Sequence, residues 1–301
     1  MADLERCVVQ FIHPGPEHGI HGSLKPWNTD EHRRKFLSVR GSYVEAVDAA
    51  PKTGELVFWG EWEPESEGES IPSPVPDGPR WVHRPYYVRP TSYRRVGRLK
   101  RGRDVCLPGN LQNTDPFVFG DRFLYTLCRQ TKPIRGHRQP TFLRDLAPGS
   151  LVLFGSLKRG EFVLDTALVV AEGLLHDFRT WPTVLAARIS ETYADVTMRP
   201  TYQTARPHEL RLYCGATLDE PFGGMFSFAP CRPAALTREG FARPAIRLNR
   251  VITPGLMMGA KATRNLSVER IKKLWDAVAA QVLEQDLALG IRFDLPLRRS
   301  E

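Results

Sequence analysis

Residues 149–172 read "GSLVLFGSLKRGEFVLDTALVVAE". Two apolar runs, Leu151–Phe154 and Phe162–Val170, stand either side of the polar "SLKRG". Apolar runs of strand length bounded by turn residues read as buried strands, and a short Gly-containing connection makes the pair a hairpin. This is the clearest hairpin in the chain, and it sets the expectation of a sheet-based fold.

The same grammar recurs on both sides. "CVVQFI" (7–12) reads as a buried strand that runs into the loop "HPGPEHGIHG" (13–22). "GSYVEAVD" (41–48) and "ELVFWGEWE" (55–63) read as strands around the turn-like "APKTG". Further strand-like segments are "RWVHRPYYV" (80–88), "FVFGDRFLYTLCR" (117–129), "ELRLYCGATL" (209–218) and "GMFSFAPC" (224–231). Asp30 is placed to cap a short helix through Leu37, and residues 182–194 have helical character. One long helix starts near Ser267, where Val268, Ile271, Leu274, Trp275, Val278 and Val282 recur at three- and four-residue steps. Residues 64–80, "PESEGESIPSPVPDGPR", have the composition of a loop or lid. Strands and helices do not alternate regularly. The expected fold is therefore α+β: a single domain over 1–301 with a mixed, mainly antiparallel sheet, a few packed helices and one long C-terminal helix.

Composition narrows the function classes. Lys and Arg number 42 against 34 Asp and Glu, a net charge of +8 that suits a polyanionic partner such as DNA. The five cysteines form no C-x-x-C pair, so neither a zinc ribbon nor a disulfide framework is signalled, and a reduced, cytoplasmic setting is expected. No segment has the length of a membrane span, and no membrane partner is expected. The chain lacks a phosphate-binding G-x-x-x-x-G-K-[ST] loop, a G-x-S-x-G elbow and an H-E-x-x-H helix. No cofactor is expected. His13, Glu17, His18 and His21 match no zinc spacing, so no metal is expected either.

Four features carry chemistry. In "FWGEWEPES" (58–66) a continued strand would put Trp59, Glu61, Glu63 and Glu65 on one face, with neighbouring carboxylates roughly 6–7 Å apart. Such carboxylates raise one another's pKa, which suits acid–base work or stabilisation of a cationic sugar. Glu61 and Glu63 are the candidates, Glu65 is expected to be solvated, and Trp59 would line a base pocket. In "NTDPFVFG" (113–120) Asp115 is a candidate to orient water, with Asn113 and Phe117 contacting substrate. His13 opens a loop that follows a strand end, a usual place for substrate contact. "RPTSYRRVGRLKRGR" (89–103) offers Arg94, Arg95, Arg98, Lys100 and Arg101 to phosphates, with tyrosines nearby to stack on bases.

Asp115-Pro116-Phe117 resembles the Asp-Pro-aromatic motif of uracil-DNA glycosylases, and His13-Pro14-Gly15-Pro16 is similar to their His-Pro-Ser-Pro loop, in reversed chain order. That resemblance implies an α/β glycosylase-like alternative for the fold. "FWGEWEPES", "NTDPFVFGD" and "LAPGSLVLFGS" together resemble bacterial proteins associated with phage defence and modified-DNA processing. The leading expectation is a DNA glycosylase that hydrolyses the N-glycosidic bond of a modified base after flipping it. The alternatives are a non-catalytic reader with a PUA-like barrel that includes "LAPGSLVLFGS" and "EFVLDTALVVAE" (146–172), and a metal-dependent nuclease using the same acids.

Overall fold

A computed structural model describes residues 4–13, 17, 27, 32, 34–72, 79–91, 93, 95–98, 104–107, 111–134, 137–204, 209–234 and 239–300. The first strands are β1 (Val8–Ile12), β2 (Arg34–Val44), β3 (Lys52–Glu61), β4 (Ser66–Ser70) and β5 (Trp81–Val88). Short strands follow: β6 (Arg95–Arg98), β7 (Asp104–Leu107), β8 (Leu124–Tyr125), β9 (Thr131–Ile134) and β10 (His137–Pro140). The quoted hairpin is β11 (Leu151–Lys158) and β12 (Glu161–His176). Helix α1 (Trp181–Val184) precedes α2 (Glu191–Tyr193), which runs through a π-turn at Ala194–Met198 into α3 (Arg199–Thr204). Then come β13 (Leu210–Gly215), β14 (Ala229–Pro233), β15 (Gly259–Thr263), α4 (Val268–Leu283), β16 (Ala288–Phe293) and β17 (Leu297–Arg299).

The hairpin is the centre of a six-stranded sheet of order β15-β1-β11-β12-β13-β8, in which only β1 and β11 run parallel. Its connection is two residues, Arg159 and Gly160, with φ of 52° and 83°. Positive φ at both positions matches the twist of the flanking strands, and the glycine adopts it without steric cost.

The apolar runs lack alternation because both faces of this sheet are covered. Val9, Phe11, Val152, Phe154, Leu168 and Val170 enter one core. Their neighbours Val8, Ile12, Leu151, Leu153, Ala167 and Val169 enter another. Helix α4 covers the second core with Ile271, Leu274, Trp275, Val278 and Val282, and Ser267 caps it by accepting from the Arg270 amide.

The second assembly contains a closed four-stranded antiparallel barrel. Strand β2 pairs with β3, β3 with β14, β14 with β16, and β16 returns to β2. Strand β5 joins β2 in parallel, and β4 and β17 flank β5.

The α+β expectation is met, with mixed, mainly antiparallel sheets and few helices. Three local expectations are not. The segment after Asp30 is not helical at 34–37, because its residues open β2, where Arg34 to Val39 are all buried in the sheet. The 64–80 segment is not all loop: Ser66–Ser70 pairs along β5. Helix α4 begins at the expected residue but is followed by two strands, so it is not the chain's last element. The alternative that put a barrel at 146–172 is corrected in place: β11 and β12 lie in the six-stranded sheet, and the barrel closes through β2, β3, β14 and β16. No helix among the described residues is long and apolar enough to cross a membrane.

Candidate functional site

Three strand ends meet at one buried polar cluster. His13 follows β1, Arg34 opens β2 and Glu61 closes β3, where it pairs in register with Arg34. The apolar strands bury these ends, so each polar group there needs a partner. Glu61 Oε2 lies 3.1 Å from His13 Nδ1 and 3.7 Å from the Arg34 guanidinium. His32 Nδ1 lies 3.3 Å from Glu61 Oε1 and 2.9 Å from Glu63 Oε1. Glu63 has left the strand by then, and its backbone amide donates to Thr114 Oγ1 at 3.1 Å.

A line of alternating charge backs the cluster. Arg34 Nε donates to Asp165 at 2.8 Å, and Arg243 donates to the other Asp165 oxygen at 2.9 Å. Arg243 also reaches Glu17, which Lys158 holds from the hairpin at 2.8 Å. Buried arginine is thereby matched to carboxylate at each step.

The titration behaviour follows from these contacts. Burial works against a charged His32, but its hydrogen bonds to Glu61 and Glu63 and their negative charge win, pushing it up to about 10. Burial, reinforced by the Arg34 charge, drives His13 well below the usual imidazole range. Burial raises Glu61, and His32 and Arg34 oppose the rise. Lys35, on the opposite face of β2, is lowered by burial to about 8 and donates to the Pro64 carbonyl at 2.7 Å. Among the cluster's side chains His32 is the most open, at 22% exposure against 2% for His13 and Glu61 and none for Glu63. His32 therefore marks the edge that solvent reaches.

No family model matches this chain. No curated protein and no solved structure matches it significantly either. The site is therefore read from its own geometry.

Asp115 is buried, and its carboxylate collects backbone amides. Its Oδ1 accepts from the Thr126 amide at 2.9 Å, and its Oδ2 accepts from Leu127 and Cys128 at 2.8 and 2.7 Å. Both oxygens are engaged by backbone amides, so the carboxylate organises the 126–128 turn. Burial pushes it up to about 6 against the three amides, which favour its ionised form. The turn in turn presents Cys128 Sγ 3.1 Å from His13 Nε2. The peptide bond before Pro116 is cis.

Trp59, Phe117 and Asn113 each have partners within the protein. Trp59 is core, its indole donating to the Phe241 carbonyl at 2.7 Å. Phe117 packs against Phe119 and Tyr193 and also lines a cavity of about 790 Å³. The Asn113 side-chain amide donates to Thr201 Oγ1 at 3.0 Å. Glu65 is half-buried rather than solvated. Glu67 and Glu69 pair with Arg299 and Arg84. Arg94, Lys100 and Arg101 lie outside the described residues, as do Pro14, Gly15, Pro16, His18 and His21. Arg95 and Arg98 are placed by backbone alone, in β6 against β7. From the same basic stretch, Arg89 joins Tyr93, Arg199, Arg298 and Arg299 around a cleft of about 740 Å³. Cys7, Cys128, Cys214 and Cys231 are free thiols.

Of the expected residues, His13, Glu61 and Glu63 come together. His32, Arg34, Asp165, Arg243 and Cys128 complete the group without having been singled out. One signal was present: Arg34 and Lys35 directly abut the apolar "FLSV". Charges at the mouth of a buried strand imply buried counter-charges. The metal expectation also changes. His32, Glu61 and Glu63 present three ligand atoms within 4.8 Å of one another, a set no linear spacing announces.

Proposed function

We propose that this chain is a hydrolase acting on nucleic acid, with the His13–His32–Glu61–Glu63 cluster as its reaction centre and the N-glycosidic bond of a modified base as its target. One observation carries this: two carboxylates and two imidazoles converge in a buried setting, where the carboxylates hold His32 charged and burial holds His13 neutral. Groups with separated pKa values can hold and accept protons at the same pH. Glu61, beside the flipped nucleotide, would offset the positive charge that grows on the sugar as the bond breaks. His13, kept neutral, would accept a proton from the attacking water. The net charge of +8 supports a polyanionic substrate.

Incubation with plain DNA and with DNA carrying modified bases tests this, with released bases and abasic sites as the readouts. Wild-type protein is expected to release base, and Glu61→Gln to lower the rate by about a hundredfold or more while retaining DNA binding. Failure to release base from every substrate at stoichiometric protein sinks the glycosylase reading. Phosphodiester hydrolysis is the second reading, favoured by the three convergent ligand atoms of His32, Glu61 and Glu63. It predicts strand breaks without abasic sites and inhibition by EDTA. A non-catalytic reader predicts that Glu61→Gln leaves function intact.

A further inference from the structure

The cluster contains more acceptors than its own hydrogens satisfy. A single His32 Nδ1 faces both Glu61 Oε1 and Glu63 Oε1, at 3.3 and 2.9 Å, so one N–H serves two carboxylates. The second oxygens, Glu61 Oε2 and Glu63 Oε2, are buried and have no hydrogen bond among the described residues. His13 supplies an independent sign. Its side chain is 2% exposed, and its Nδ1 points at Glu61 Oε2 from 3.1 Å without making a hydrogen bond. Buried charge left in this condition is costly unless something else pairs with it.

We propose that His32, Glu61 and Glu63 are the protein ligands of a divalent first-row transition ion. One imidazole nitrogen and two carboxylates suit Mn²⁺, Fe²⁺ or Zn²⁺, and the absence of a thiolate from the set disfavours soft ions. Two carboxylate charges with a neutral imidazole balance a dication. Three protein ligands leave coordination positions for water or substrate, as catalytic rather than structural sites require. His13 and Arg34 then act from outside the ligand set: each approaches Glu61 Oε2, and Arg34 is itself held by Asp165. Partners of that kind orient a ligand carboxylate. The inference rests on the second reading, phosphodiester hydrolysis, because Glu61 held on a dication could not also offset a cationic sugar.

The test uses the full chain after chelator treatment. Co²⁺ is titrated and followed by its visible absorption, with Zn²⁺ as competitor. The expected result is one Co²⁺ per chain, displaced stoichiometrically by Zn²⁺. Glu63→Gln and His32→Asn are each expected to weaken binding by more than about tenfold, the lower end of what loss of an outer partner alone costs. Circular dichroism reports whether each variant folds. X-ray absorption of the Zn²⁺-loaded wild type decides the matter without variants: imidazole scattering with oxygen neighbours and no sulfur shell is expected. The proposal is overturned if the wild type binds none of Co²⁺, Mn²⁺ or Zn²⁺. It is equally overturned if both variants fold and bind unchanged, or if a sulfur shell appears. Stoichiometric metal binding without base release would refute the glycosylase reading and leave the metal site standing.

Discussion

Asp115 and Glu61 are neighbours with different duties. The Asp115 amide lies 3.5 Å from Glu61 Oε1, yet the Asp115 carboxylate turns away to collect three backbone amides. Hydrogen bonds to a charged acceptor contribute about 1.5–3 kcal/mol each, and a buried donor left unpaired costs about as much. Asp115→Asn removes the charge and swings an amide group toward one of the N–H donors. A loss of about 3 kcal/mol or more in unfolding free energy is expected, measured by urea denaturation. Full stability combined with lost turnover would restore Asp115 to a catalytic role. The aspartate's motif was visible in the sequence, but its donors come from residues 126–128, and no local pattern says where that turn folds back. Glu61 and Glu63 were legible as acids in an apolar strand, and His13 as a polar residue at a strand end. His32 was not, because its place depends on the register that sets Arg34 opposite Glu61.

At the level of elements, what could be read locally was what is built locally. The β11–β12 hairpin and α4 declare themselves through apolar runs and a helical stripe. The closure of the barrel does not, because β2 must meet β16 across most of the chain. Gly41 sits at that seam, paired with Phe293, and a Cβ on it would lie 2.2 Å from the Arg292 carbonyl oxygen. Gly54, its register partner on β3, has open space where a Cβ would be. Gly41→Ala is therefore expected to cost about 1–3 kcal/mol, since backbone must shift to admit the methyl group. Gly54→Ala is expected to be near neutral. Matched denaturation curves of the two variants check the closure directly, and equal effects would mean that β2 and β16 are not in contact at this register.

Across the whole molecule, the six-stranded sheet separates two cores, and its far end is tied down by a histidine. His176, the last residue of β12, lies 2.8 Å from Thr126 Oγ1 through Nε2 and 2.9 Å from the Tyr202 hydroxyl through Nδ1. It thus joins the sheet to the turn that Asp115 holds and to α3. Burial lowers it to about 4, against a small opposing effect of Asp177. The sign follows from linkage: the unfolded ring takes up its proton near pH 6.5, whereas the folded ring resists until about 4. The stability His176 contributes is present above pH 6.5 and is lost as the pH falls through about 4. Asp115, whose pKa is raised, has the opposite sign in part of this range, and net positive charge adds repulsion in acid. Both act in wild type and in His176→Gln alike, so the difference between the two proteins isolates the histidine. Relative to His176→Gln, the wild type should lose about 1.4 kcal/mol of unfolding free energy per pH unit across that window. Urea midpoints taken at steps from neutral pH to acid measure the slope, and a difference that does not change with pH would show that His176 titrates freely and does not clamp the sheet to the turn beneath the site.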